Sequence, residues 1–548
     1  MVERLREGLG PKGRPLALLV FAGFLVAALY GRVLAYQFVH DDVSLIEQSE
    51  RLRDPATLGA ALQHDLFWLS DGDTRPSPYW RPVTTASYYL DAFLSQWITG
   101  DVTAWVFHLS NLILLVLLAV ASGRLVQSTQ SQPPSWRTMA VFCAVLIVHP
   151  MQVEPAANIT ARPDLLVALF GCLAVARSGG AGAGWTLLAL GAKETAIMIP
   201  LMGAIFGRGR NDRWRPHLLA VGFWLFVRGA LLSGWNVAAS DSGLPTVASL
   251  AGAAGHLWIL IGRIAFPIDP IAAWTYPVLS LGVQVGAWLA LLALIWVLYR
   301  WCIGPMGWLV LLPLLPVCGV MARSVRYGEG LMCWSLAGLA GVLGFTRKGR
   351  WLALIMLPWW TWVSWNRTPD WKDEQTLWAS AVQVAPEDPL VALKYGRTRL
   401  EQDPGEALRS ARVGLDTERD PRRRRELHAL AANALVQLGR VSDAGTHLVV
   451  AAEPGDSERI WALSARCIYA ARSEDPGAPA LSDVCSAAAQ LRPHDAGLLN
   501  AAGVEAAQRG AFAEAVAYFG RAVELEPEVP SFQRNLTNAQ RDVKLNQP

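Results

Sequence analysis

Residues 16–42 read LALLVFAGFLVAALYGRVLAYQFVHDD, and this stretch sets the architecture. From Leu16 to Tyr36 the only charged residue is Arg32, so the run is long enough for a helix to cross the hydrocarbon core, which takes ~20 apolar residues. Arg4, Arg6, Lys12 and Arg14 precede it, and the carboxylates of Asp41 and Asp42 come directly after. A basic flank before an apolar run looks like a secretion signal. The length of this run, and the similar runs downstream, make it an uncleaved signal anchor instead.

Beyond Asp42, further apolar runs fall near 105–123, 137–148, 164–177, 184–192 with 195–207, 216–233, 281–299, 306–321, 328–345 and 351–365, for about eleven crossings. Basic residues collect on the cytoplasmic side of a membrane protein, which tests the count. With the N-terminus inside, fifteen of the 26 Lys and Arg residues before position 366 fall in cytoplasmic segments, against three of the 19 acidic ones (Glu3, Glu7 and Asp212). An odd number of crossings places everything after Trp365 outside the cytoplasm. The stretch 250–266 reads as re-entrant or interfacial, because a full crossing there would reverse the downstream parity. The expected location is a bacterial inner membrane, with the N-terminus cytoplasmic and the tail periplasmic.

The 548 residues are 53% hydrophobic and 17% charged with net charge +3, averages that hide a break near residue 366. Before it 45 of 365 residues are charged, and after it 48 of 183. The expected domains are therefore a membrane domain, 1–365, and a polar extracytoplasmic domain, 366–548. A soluble single domain is excluded, since one core stops growing at ~250–300 residues; disorder is excluded by the hydrophobicity. A charge of +3 does not argue for nucleic acid. Among the seven cysteines, Cys143, Cys172, Cys302, Cys318 and Cys333 sit in apolar runs and Cys467 and Cys485 in the tail. Without a C-x-x-C pair they imply neither a zinc site nor a disulfide framework.

In the tail, Pro386, Pro421, Pro454, Pro493 and Pro527 are spaced by 35, 33, 39 and 34 residues, close to the 34-residue tetratricopeptide period. Counted from Ala496, the last unit places Gly503, Ala515, Phe519, Ala522 and Pro527 at the small, aromatic and terminal-proline positions of that repeat. Trp378, Ala381 and Pro386 match the end of a unit, and 471–480 reads as an insertion. About four units result. Ala-rich amphipathic helices can mimic such a pattern, but the recurring proline favours the repeat. An array of this kind presents a concave surface for peptides or proteins.

Charged groups cluster on the outer side. The first outer loop, 37–104, holds ten acidic residues and opens with Asp41-Asp42. Adjacent carboxylates raise one another's pKa unless a cation intervenes, which suits a general base, a metal ligand or a solvated helix start. Next come Arg81, then His108 and Asn111 on one helix face. His149, Glu154, Arg162 and Asp164 fill a short second outer loop, and Lys193-Glu194 interrupts an apolar stretch. Each charge costs ~2.5–3.5 kcal/mol at mid-membrane, so the Lys-Glu pair belongs at the outer tip of two short helices. Arg323 and Arg326 read equally as anion ligands or as snorkelling side chains. Carboxylates, imidazoles and cations at helix ends on one face match the needs of a lipid-phosphate-linked sugar donor.

Seven segments carry a resemblance: Phe38-x-x-Asp41-Asp42, Trp80-Arg81-Pro82-Val83, Phe107-His108-x-x-Asn111, His149-Pro150-x-x-x-Glu154, Ala161-Arg162-x-Asp164-Leu165-Leu166, Ala192-Lys193-Glu194 and Asn366-Arg367-x-x-x-Trp371-x-x-Glu374-x-x-Leu377-Trp378. In this order, with a repeat tail, they resemble the transmembrane and tetratricopeptide-repeat O-mannosyltransferases, a branch of the multi-spanning GT-C glycosyltransferases. The resemblance implies an all-α protein: a GT-C-like transmembrane domain followed by an α-solenoid of tetratricopeptide repeats. It implies transfer of mannose or another hexose from a polyprenyl-phosphate donor to a hydroxyl of a protein acceptor recruited by the repeats. By the same resemblance Asp41 and Asp42 are the catalytic candidates, and Arg81, His108, His149, Glu154, Arg162, Asp164, Lys193, Glu194 and Arg326 the donor-phosphate or substrate-binding ones. Whether a divalent metal, Mg or Mn, assists is not readable from the sequence. The alternatives are a polymerase or ligase of lipid-linked glycans, whose key arginine and histidine usually sit in a large late outer loop, and a non-catalytic membrane-anchored repeat scaffold. The long outer loop here is the first, and a mere anchor has no need of Asp41-Asp42.

Overall fold

The computed structural model describes residues 13–70, 77, 79–130, 132, 134–177, 179–207, 213–232, 247–267, 274–275, 279–300, 304–317, 326–440, 443–445, 447, 450, 467, 485–486, 489 and 495–545. These residues are helical almost throughout; the exception is a two-residue antiparallel ribbon pairing Trp274 with Tyr327 and Thr275 with Arg326. Packing divides the chain into two units, the first ending at Leu377 and the second resuming at Trp378.

Among the described residues of the first unit the apolar runs are helical. Leu16–Ala35 and Ala104–Gln127 are long and apolar enough to cross a membrane, making this a membrane protein. Two further candidates are bent: Trp136–Val148 with Pro150–Ala157, at 62°, and Glu329–Phe345 with Arg347–Trp371, at 114°. The first bend falls where Pro150 cannot continue the preceding helix; the second falls at Thr346, whose hydroxyl accepts the Gly349 N–H and caps a new helix. The other runs form helices such as Arg162–Val175 and Gly179–Ala192, and all but the last residue of 250–266 lies within one continuous helix, Val247–Ala265. By length and apolarity the described residues thus provide two to four spans, where the sequence predicts about eleven crossings. Within the expected runs at 195–207 and 306–321, the described residues form a 3-10 turn beside a helix: Glu194–Met198 with Ile199–Phe206, and Leu312–Val317 with Pro305–Leu311.

The described residues of the 37–104 segment are built on a helix and a buried cluster. Pro82–Thr99 is an 18-residue helix, and short turns upstream bury Phe38, Leu45, Ile46 and Leu52 against Tyr88, Phe107 and Ile159. This core holds the segment beyond the first span in place.

In the second unit, Pro389–Arg399, Pro404–Thr417 and Pro421–Gln437 pack in succession, as do Ala496–Gln508, Phe512–Leu525 and Pro530–Leu545. Pro421 opens a helix rather than closing one, which its missing N–H and preset φ favour at the first helical position. Gly503 is a close-approach position: a Cβ there would lie 2.6 Å from the Phe519 ring. The expected insertion at 471–480 lies outside the described residues. Cys467 and Cys485, for which the sequence implies no disulfide, form one with Cα atoms 4.8 Å apart. They stand 18 positions apart in sequence, so only tertiary packing brings them together.

Candidate functional site

The first span ends in a 3-10 turn, Gly31–Ala35, and Phe38 and Val39 are buried immediately beyond it. His40 then adopts φ +58°, a left-handed conformation costly for a side chain with a Cβ. Its backbone N–H donates to the Glu374 carboxylate, which holds the residue there. The kink sends the next two carboxylates in different directions. Asp41 is 41% exposed at its side chain, with Oδ1 2.9 Å from Nδ1 of His40. Asp42 is fully buried, Oδ1 accepting the Thr160 N–H at 2.8 Å and Oδ2 those of Ile159 and Val39 at 3.4 Å. A π-helical turn, Val43–Glu47, comes next.

Burial pushes the Asp42 carboxyl up to about 7, against the opposing pull of the Thr160 and Val39 amides and of His40. The folded protein therefore holds a proton here that the unfolded chain releases near the ordinary value of 3.8. More protons bound in the folded state make stability fall as pH rises between those values. Thermal unfolding followed by tryptophan fluorescence should show this decline from pH 4 to pH 7, with a smaller slope in Asp42→Asn; equal slopes would contradict the buried, protonated carboxyl.

The Ile159–Ala161 turn that cradles Asp42 runs straight into Arg162, which is 1% exposed. Its guanidinium reaches Asp91 at 2.6 Å, Asn111 at 2.8 Å and the Phe107 carbonyl at 3.0 Å, over the Tyr88 ring at 5.0 Å. The Asn111 amide in turn donates to the carbonyls of Asn158 and Pro155 at 3.1 and 3.3 Å. Arg162 thus ties the segment behind Asp42 to the Pro82–Thr99 and Ala104–Gln127 helices.

A second group gathers on the ends of other helices. Lys193 and Glu194, adjacent in sequence, do not pair with each other. Lys193 lies in extended backbone after Ala192 and its Nζ meets Asp164 at 2.5 Å. Glu194 begins a 3-10 turn and takes Arg81 through both carboxylate oxygens, at 2.9 and 3.3 Å. Burial alone would raise the Glu194 carboxyl, but the Arg81 guanidinium outweighs it and holds the group below its ordinary value. Glu154 accepts the Gly330 N–H at 2.9 Å, and a Cβ on Gly330 would stand 3.0 Å from Asp164. The 328–330 backbone therefore reaches both carboxylates only because it carries glycine. Glu329 between them pairs with Arg367 at 2.8 Å.

The structure thus joins Glu154, Asp164, Lys193, Arg81 and Glu194 through three helix ends and one loop, and links Asp42 to Arg162. His149 has both nitrogens engaged: Nε2 donates to the Ile264 carbonyl at 2.9 Å and Nδ1 accepts the Met151 N–H at 3.2 Å, with the Trp360 ring tilted at 55° and its centroid 4.7 Å away. His108 is wholly buried. Arg326 has its backbone in the short ribbon, while its side chain and Arg323 lie outside the described residues. Among the described residues no three His, Cys, Asp or Glu side chains converge as metal ligands. Sequence reasoning passes over Asp91 and Glu329, and names Glu374 only within the Asn366–Trp378 segment, with no role. Asp91 has a signal, a lone carboxylate inside YYLDAFL; Glu329 has none until its partner is placed.

Part of the chain is similar to characterised proteins. It is 35% identical to "Protein O-mannosyl-transferase TMTC1" of Mus musculus over 176 residues, which is 31% of this chain and 17% of that protein. The resemblance is to TMTC-type O-mannosyl-transferases. Mouse "Protein O-mannosyl-transferase TMTC4" is 30% identical over 161 residues, 27% of this chain and 21% of the relative, and human TMTC1 33% over 171 residues, 30% and 18%. The matches thus span about a fifth of the TMTC relatives' own lengths. No protein-family model matches the chain.

Proposed function

We propose that this protein is a membrane glycosyltransferase that moves mannose or another hexose from a polyprenyl phosphate to a hydroxyl of a protein acceptor. The observation that carries the reading is the Asp41-Asp42 pair at the end of the first apolar helix: one carboxylate buried and held by three backbone amides, the other accessible. We assign Asp41 as the base and Asp42 as the anchor that holds the kinked backbone. Asp41 takes the acceptor hydroxyl proton as its oxygen attacks the anomeric carbon. The bond from that carbon to the phosphate oxygen breaks, and its electron pair leaves with the lipid phosphate. One base suffices for this inverting displacement. Arg81 and Lys193 are assigned to the donor phosphate, since Glu194 and Asp164 hold both cations in place before it arrives. The TMTC-type resemblance supports the same chemistry.

The proposal includes about eleven crossings for the 1–365 domain, with the 366–548 domain outside the cytoplasm as a tetratricopeptide array that recruits the acceptor. The successive helix packing of the second unit and the Gly503–Phe519 contact support the array. An oxidised Cys467–Cys485 pair supports the orientation, because such bonds persist outside the cytoplasm. After free thiols are blocked, reduction of the isolated protein should release two more thiols to a maleimide mass tag. No gain on reduction would count against an extracytoplasmic tail. The proposed activity is tested by transfer of labelled mannose from polyprenyl phosphate to protein in membranes holding the full chain; labelling no greater than in membranes lacking it would refute the reading.

A further inference from the structure

A cavity of about 640 Å³ opens beside the kinked motif, between the outer end of the first span and the start of the Ala104–Gln127 helix. Its walls include Tyr36, Gln37, Phe38 and Trp105, with the carboxylates of Glu47 and Glu374. Glu374 is the residue that accepts the His40 N–H, so the cavity shares a wall with the turn presenting Asp41. A third polar group lies behind the walls. His108 is one turn further along the helix from Trp105 and wholly buried, its ring against the backbone of Tyr36 and Gln37.

The sign of the charge selects the occupant. Both Glu47 and Glu374 line the cavity, Glu374 adds to the cost of ionising Glu47, and a phosphate-bearing donor entering between them would add like charge. Arg53 acts on Glu47 more strongly than Glu374 does, but its guanidinium is shared with Asp101 at 3.6 Å and with the Ser49 carbonyl, to which it donates at 3.0 Å, while Glu374 adds a second carboxylate to the wall. Aromatic walls with two carboxylates suit an extended polypeptide bearing a basic side chain, through stacking and a charge-assisted hydrogen bond.

We infer that this cavity is the acceptor subsite, and that it selects a polypeptide segment carrying Lys or Arg beside the hydroxyl residue that receives the sugar. The inference rests on the proposed transferase reading but predicts binding that needs no donor. Fluorescent peptides with one Ser or Thr, flanked by Lys or by Glu, are titrated by anisotropy against the full chain in nanodiscs of neutral phosphatidylcholine. The Lys-flanked peptide should bind roughly tenfold more tightly, the effect of one charge-assisted contact. Glu47→Lys should reverse that preference and Glu47→Gln should narrow it. Equal affinities, tighter binding of the Glu-flanked peptide, or a preference untouched by Glu47→Lys would overturn the subsite. Loss of transfer activity with the Lys preference intact would instead bring down the transferase reading and leave a basic-peptide site.

Discussion

Asp41→Asn is expected to cut sugar transfer by roughly 10²–10⁴-fold, the usual contribution of a positioned general base. The amide matches the carboxylate in shape and loses only its basicity. Because Asp41 is substantially exposed and its 2.9 Å contact is with the neighbouring His40, the substitution should leave thermal stability within ~0.5 kcal/mol. The loss should fall on kcat, with the KM for the polyprenyl-phosphate donor little changed, since the base acts on the acceptor. Asp42→Asn should behave differently. It sits among three backbone amides, where an amide side chain turns at least one N–H toward another donor, so it should disturb folding and activity together. Labelling in Asp41→Asn membranes equal to wild type would remove Asp41 as the base. Loss in Asp42→Asn alone, with stability unchanged, would transfer that role to its neighbour.

Arg162→Met is expected to destabilise the first unit by about 3–5 kcal/mol, since breaking a buried pair leaves the other charge uncompensated. The removed guanidinium reaches Asp91, Asn111 and the Phe107 carbonyl, all inside the fold. The double variant Arg162→Met with Asp91→Leu should recover much of the loss, because replacing both partners by apolar groups removes the stranded carboxylate. Thermal unfolding in detergent, followed by tryptophan fluorescence, reads both. A single-variant loss below ~1 kcal/mol, or no recovery in the double variant, would show that the pair does not hold the segment behind Asp42. The resemblance makes this arginine a donor-site or scaffold candidate, and its burial fits the scaffold role.

The sequence is most informative where a signal is local. Apolar runs become helices because an apolar stretch must satisfy its own backbone. Pro150 and the residues around Thr346 break helices where turn chemistry demands it. The Asp41-Asp42 pair stands out because two carboxylates directly after a span are costly. What the sequence leaves open has a shared cause. Lys193 and Glu194 stand side by side in the chain, and extended backbone at Lys193 and a 3-10 turn at Glu194 direct them to Asp164 and Arg81. The arginine-bearing loop 37–104 reads as a connection, yet it holds an 18-residue helix and a buried cluster, since its apolar residues are spread over short turns too brief to show a period. Cysteines eighteen residues apart give no spacing signal at all.

Residues 16–42 are thus enough to establish that a membrane helix ends against two carboxylates, because hydrophobic length and charge cost are properties of consecutive residues. Which carboxylate is accessible and which is buried is settled by tertiary contacts alone. That choice depends on the left-handed His40, on Glu374 holding it from the far end of the unit, and on amides of the Ile159–Ala161 turn arriving beneath Asp42. Hydrogen bonds between residues more than a hundred positions apart obey no period along the chain, so no pattern of neighbours could have shown them.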